Sequence, residues 1–283
     1  MHHALSGLDH VIVGVRDLDA ARSGWARLGF NPTPRGRHVG WGTANYCLMF
    51  ERDYIELLGI VDATQFTNGL DRLVEEREGL LGLVAQTSDP EATAAAWTAA
   101  GLEPAEPRAL GRVLELPGGD VALRFRNVLL DRAQLGGLGL FACQHLTPEL
   151  LRRPAWTRHP NGATGIAACT VVAPDPEALA ERLARVFGSA AVTRTDTLAA
   201  IHTGTAVILV ASHAQAEHLH PSFDLESPGA APLVAVLAVK VEDPDRAARF
   251  LGLQGLPHRR DASKAVLVDA VHANGVNLEL VPG

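Results

Sequence analysis

One local pattern occurs four times in this chain and limits what it can fold into. An apolar, strand-like segment is followed by an Asp, a short acidic turn and a helical segment. The copies begin at Asp17 (DLDAARSGWARLGF), Asp89 (DPEATAAAWTAAGL), Asp175 (DPEALAERLARVFG) and Asp243 (DPDRAARFLGLQGL). An Asp at this position can accept hydrogen bonds from the free N–H groups of a first helical turn. In the last three copies Pro follows, at the one helical position where a missing donor costs nothing. The next acidic residue lies at the positive end of the helix dipole. Gly near the end of each segment acts as a stop.

Before each Asp lies a strand candidate: Leu8–Val15, Leu80–Thr87, Gly165–Ala173 and Leu233–Val241. Three more strand-like runs follow each helix, in the first copy Phe30–Arg37, Trp41–Phe50 and Tyr54–Val61. The chain therefore reads as α+β, built from four β-α-β-β-β modules. A repeat of about 70–85 residues is too long for most solenoids. The run from Arg158 to Gly165, with Pro160, Asn161 and Gly162, is loop chemistry. It sets the expected division into an N-terminal domain of residues 1–157 and a C-terminal domain of residues 158–283, with two modules in each.

The 283 residues suit about two domains at roughly 150 residues each. A net charge of -7 and the lack of any Lys/Arg run argue against a nucleic-acid partner. No apolar run approaches the roughly 18 residues of a membrane span, and MHHALSGLDH is not a signal peptide. Cys47, Cys143 and Cys169 are odd in number and widely separated, which fits free thiols in a reducing compartment. The expectation is a cytoplasmic protein whose partners are a small-molecule substrate and a second copy of the chain in a homodimer. His2 and His3 read as a frayed terminus.

The opening LDHVIVGVRDLDAARSGWARLGF resembles the first β-α segment of the vicinal oxygen chelate superfamily. That superfamily includes glyoxalase I, extradiol dioxygenases, and fosfomycin and bleomycin resistance proteins. The stretch GRHVGWGTANYCLMFERDYIELLG is similar to its glyoxalase-like branch. The resemblance is strongest over residues 8–61. It implies that modules pair into curved, eight-stranded barrel-like sheets with helices outside, so four modules imply two such sheets. It also implies a divalent metal in the concavity, with ligands from first and last strands.

Strand parity tests the first ligands. In Leu8–Val15 the side chains of Val11, Val13 and Val15 share one face, and His10, Ile12 and Gly14 the other. Glu56 shares a face with Leu58 and Ile60, where an unpaired carboxylate would be costly. By resemblance, His10 is the first-strand ligand and Glu56 the last-strand ligand. The second module has Gly82 where His10 would align, so its contribution is expected at His145, near the end of its last strand. Glu279, in VNLELVPG, takes that place if module one pairs with module four. Val236 and Ala168 stand at the equivalent positions of modules four and three, so the second sheet reads as metal-free.

Two His and one Glu accommodate Zn, Mn, Fe(II), Ni or Co with positions left for substrate oxygens. His38 and Glu56 are candidate catalytic groups, and Asn45 and His159 candidate substrate contacts. His213, His218 and His220 read as members of a polar surface loop, and Glu51, Arg52 and Asp53 as a solvated turn. The function expected from the resemblance is a metal-dependent isomerase, lyase or hydrolase acting on a small oxygenated metabolite. An Fe(II) extradiol-type dioxygenase and a metal-free binding or resistance protein are the alternatives.

Overall fold

The computed structural model describes residues 4–283; His2 and His3 lie outside the described residues. All four Asp-led helices form, and each Asp side chain caps its helix. Asp17 accepts from the Ala20 N–H (2.9 Å), Asp89 from Ala92 (3.0 Å), Asp175 from Ala178 (3.0 Å) and Asp243 from Asp245 (2.8 Å).

Module one comprises β1 (Leu5–Gly14), α1 (Leu18–Arg27), β2 (Gly36–His38), β3 (Thr43–Met49) and β4 (Tyr54–Ile60). A short α2 (Leu70–Glu76) leads to module two: β5 (Gly79–Thr87), α3 (Pro90–Ala99), β6 (Arg108–Leu114), β7 (Val121–Leu129) and β8 (Leu140–His145). Module three comprises β9 (Ala163–Val172), α4 (Pro176–Phe187), β10 (Val192–Arg194), β11 (Leu198–His202) and β12 (Val207–Ala211). After α5 (His213–Leu219), module four comprises β13 (Leu233–Val241), α6 (Pro244–Leu253), β14 (Arg259–Arg260), β15 (Val266–Val268) and β16 (Asn277–Pro282).

In each module the first strand pairs parallel with the fourth, and the rest follow antiparallel. Modules one and two join at β1–β5 and again at β2–β6, which closes an eight-stranded barrel. Modules three and four join only at β9–β13, and their sheet stays open. Its outer edges are β10, of three residues, and β14, of two, and they do not pair. Module one therefore does not pair with module four, and Glu279 lies in the other sheet from Glu56.

Val11, Val13 and Val15 turn outward into a core that runs between the helices and both sheets. Two completely buried tryptophans tie the halves together. Trp25 of α1 donates to Asn274 Oδ1 (3.2 Å), and Trp97 of α3 donates to the Val186 carbonyl (3.1 Å). No helix of the described residues is long and apolar enough to cross a membrane.

Several polar segments differ from their sequence reading. Asp53 is buried rather than solvated; it accepts from the Ile166 N–H (3.0 Å), and burial pushes its carboxyl up to about 6. The segment after Ser212 is α5, capped by the Ser212 hydroxyl, not a loop. His220, just beyond it, is buried; it donates to Glu279 (2.7 Å) and shares a hydrogen bond with Thr170 (2.8 Å). These bonds fasten α5 against the second sheet.

His159 sits between Phe30 and Phe50. Its Nδ1 accepts from the Asn31 N–H (2.9 Å) and its Nε2 donates to the Met49 carbonyl (2.9 Å). It is a buried staple between β3 and the segment leading to β9. Burial lowers its pKa to about 4. Between pH 6.5 and 4 the unfolded chain then binds a proton that the folded chain does not. Stability from this residue is present above about pH 6.5 and falls as pH drops toward 4, by up to ~3 kcal/mol. Asp53, raised to about 6, contributes in the opposite direction over this range, so the test is a difference: in urea denaturation at pH 7 and pH 4, the stability gap between wild type and His159→Gln should change by about that amount.

Candidate metal centre

The interior of the closed barrel holds two buried carboxylates, Asp9 and Glu56. Glu56 lies on β4, opposite Cys47 of β3 and beside Ile12 of β1. One of its oxygens accepts from Asn45 Nδ2. His38 Nε2 and Arg112 Nη1 each lie 3.9 Å from that same oxygen. The other oxygen faces His10 Nε2 at 3.5 Å. Burial alone would raise the Glu56 carboxyl, but the hydrogen bond and charge of His10, with His38 and Arg112, bring it down to about 2.

His10 is fixed on its other side. Its Nδ1 donates to Asp9 Oδ2 (2.6 Å), and its ring stacks on Tyr54 at 4.3 Å, the residue paired with it across β1–β4. Burial disfavours the imidazolium, yet Asp9 and Glu56 outweigh it and raise the His10 pKa. His145 Nε2 donates to the same Asp9 oxygen (2.9 Å). Burial would raise the Asp9 carboxyl; the two histidines reverse that and hold it well below the usual range. Asp9 Oδ1 has no hydrogen-bond partner, and Arg152 Nη2 lies 3.7 Å away.

The structure thus brings His10, Glu56, His38 and Asn45 together, as the sequence reading expects. His145 and His159 are not in that group. Strand register explains the position of His145. β1 pairs Ile12 with Glu56, and β5 pairs Val84 with Phe141. With Gly82 aligned to His10, Phe141 is the counterpart of Glu56. His145 lies four residues further along β8 than Phe141, and its Nε2 shares the Asp9 Oδ2 acceptor with His10 Nδ1. There it belongs to a different cluster: ligand atoms of Asp9, Cys143 and His145 lie within 4.8 Å of one another.

Two interior residues escape the parity reading. Asp9 should point away from His10, but the β1–β5 register shifts between Leu8 and His10, and a bulge lets adjacent residues turn the same way. Arg112, His38's partner across β2–β6, is 3% exposed. The parity of β6, with Leu110, Arg112 and Leu114 on one face, carries a signal for it. Its Nη1 donates to Cys47 Sγ (3.2 Å), while Nε and Nη2 have no partner.

Glu56, His38 and Thr43 line a cavity of about 470 Å³. Ile12, Leu58, Leu110, Leu129, Leu140 and Phe141 contribute to its walls, and α2 supplies Leu70 and Leu73. His38 Nδ1 is tied to Thr43 Oγ1 (2.9 Å), and burial lowers its pKa, so the ring is neutral at pH 7.

Paired β-α-β-β-β modules around such an interior define the vicinal oxygen chelate fold. The profile of the glyoxalase-like domain matches residues 8–187, and the chain belongs to that family. A hypothetical protein from Staphylococcus aureus has a similar structure, with a TM-score of 0.68 and 14% identity over 98% of this chain and 99% of that one. A mutant of 4-hydroxymandelate synthase from Streptomyces coelicolor has a TM-score of 0.58 and 14% identity over 98% and 92%. A xylose isomerase-like TIM barrel/4-hydroxyphenylpyruvate dioxygenase fusion protein has a TM-score of 0.62 and 15% identity over 99% of this chain, which spans 49% of that protein. At these identities the likeness is one of fold. No curated protein matches the chain.

Asp9 holds two rings at once, so removing it leaves both without their acceptor. Asp9→Ala should cost about 3–5 kcal/mol in chemical denaturation. A loss under about 1 kcal/mol would mean that the carboxylate does not organise the interior.

Proposed function

We propose that this protein is a divalent-metal-dependent enzyme of the isomerase or lyase type, with its centre at His10 and Glu56. The observation that carries this reading is the 3.5 Å gap between His10 Nε2 and Glu56 Oε2, with Asp9 on the opposite ring nitrogen. A His that donates Nδ1–H to a carboxylate presents its Nε2 lone pair outward, the arrangement of metal-binding histidines. Two acceptor atoms at this separation need a proton or a cation between them. One imidazole and one carboxylate suit Zn, Mn, Fe(II), Ni or Co. When bound there, such an ion supplies Lewis-acid polarisation of substrate oxygens.

The chain's own residues divide the remaining chemistry. Asn45 fixes one Glu56 oxygen and leaves the other for the ion. Glu56 is taken up as an ion ligand in this reading and is not free to take a substrate proton. His38 is the better base, because it is neutral, its Nδ1 is anchored by Thr43, and it lines the cavity. It would take a proton from the carbon beside the substrate's carbonyl and return it to a neighbouring atom. An Fe(II) dioxygenase centre would need a second His beside His10 and Glu56. His145 is bonded to Asp9 instead, which disfavours that reading.

One observation favours a metal-free site: Arg112 already places a fixed positive charge 3.9 Å from Glu56. In that reading His10 is an imidazolium bridging the two carboxylates. Zn and Mn titration with elemental analysis separates the two. The wild type should bind one equivalent, His10→Ala and Glu56→Gln should weaken binding at least tenfold, and His145→Ala should retain it. No uptake by the wild type after supplementation would sink the metal reading. Loss in His145→Ala alone would move the ion to the Asp9, Cys143 and His145 cluster.

A further inference from the structure

The second module supplies Gly82 and Phe141 where the first supplies His10 and Glu56, and both line the cavity. At these two positions the first module has polar groups and the second has none, although Asn127, Asp131 and Arg132 of the second module also reach the cavity, as do Thr67 and Asn68. Glu56, His38 and Thr43 lie together in the lining, and leucines, Ile12 and Phe141 supply much of the rest. At roughly 30 Å³ per heavy atom, the share of a water molecule in the liquid, about 470 Å³ holds about 15 heavy atoms.

The lining also restricts charge. Arg132 brings a guanidinium to it, but it donates to the carbonyls of Leu81 (3.0 Å) and Gly137 (3.5 Å), and Asp131 stands next to it. Among the described residues, the lining has no match for the several carboxylates or phosphates of a glutathione or coenzyme conjugate. The rim is apolar as well. Val39 and Phe66 are 59% and 58% exposed, and Trp41 lies edge-on to Phe66 at 5.2 Å. Large apolar side chains left in water around an opening mark a surface that meets an apolar ligand.

Building on the reading of this cavity as the active site, we infer that its substrate has an uncharged hydrocarbon body of about ten carbons with the reacting oxygens at one end. Small hydrophilic carbonyl compounds and charged conjugates are not its substrates. The oxygens meet Glu56 and His38, and the body lies against Leu110, Leu129, Leu140 and Phe141.

Calorimetric titration of the metal-supplemented wild type tests this with 3-hydroxy-2-decanone, 3-hydroxy-2-butanone and S-lactoylglutathione. The first two share a head and differ by six methylenes. Each buried methylene is worth about fourfold in affinity, so the longer ketone should bind at least about 100-fold tighter even with incomplete burial. Leu110→Trp and Leu73→Trp, which fill the cavity from different elements, should each reduce that preference at least tenfold with circular dichroism unchanged. Equal binding of the two ketones, or tighter binding of the glutathione conjugate, overturns the inference. Chain-length preference in a protein that takes up no metal leaves the inference standing and removes the metal reading. Metal uptake without chain-length preference does the reverse.

Discussion

Asp9 and Glu56 are two carboxylates buried inside one small barrel, and their neutralisation organises everything around them. A buried carboxylate without partners would take up a proton or unfold its surroundings. Here His10 stands between the two, His145 supports Asp9, and Asn45, His38 and Arg112 surround Glu56. These partners come from β1, β2, β3, β6 and β8. The charge cluster therefore depends on the closed barrel, and a shift in any of those strands would leave a charge exposed to low dielectric.

The two halves show what closure contributes. Both are built from two β-α-β-β-β modules with the same internal pairing. In the first, β2 meets β6, and the enclosed space holds the carboxylates and the cavity. In the second, the sheet stays open, and its concave side is filled by Phe223, Leu225 and α5. His220, Thr170 and Glu279 are satisfied by one another there. The second half is tied to the first through Trp25 and Trp97.

Much of the fold was legible because its signals are local. An Asp cap, a Pro at the first helical position and alternating strands act within a few residues, so all four helices and nearly every strand lie where the pattern puts them. The short helices α2 and α5 lack an Asp-Pro start and were not visible. At the site, parity placed His10 and Glu56 correctly because β1 and β4 are regular there. It failed at Asp9, where the β1–β5 register slips by one residue. For His145, residue type alone cannot say how far along β8 the counterpart of Glu56 lies: the register puts Phe141 there and His145 on Asp9.

By itself, the sequence determined the number of modules, their internal order, and four of the groups that meet in the first barrel, His10, Glu56, His38 and Asn45. These follow from short-range hydrogen bonding and strand alternation, which need no knowledge of neighbours. Only the tertiary structure decided which modules pair, which sheet closes, and which residues share a charge. Those outcomes depend on a bulge and cross-strand register. They bring together Asp9 with His145 and Arg112 with Glu56, pairs separated by 136 and 56 positions in the chain. Contacts at such separations are set by how the whole sheet curls, and no local pattern encodes them.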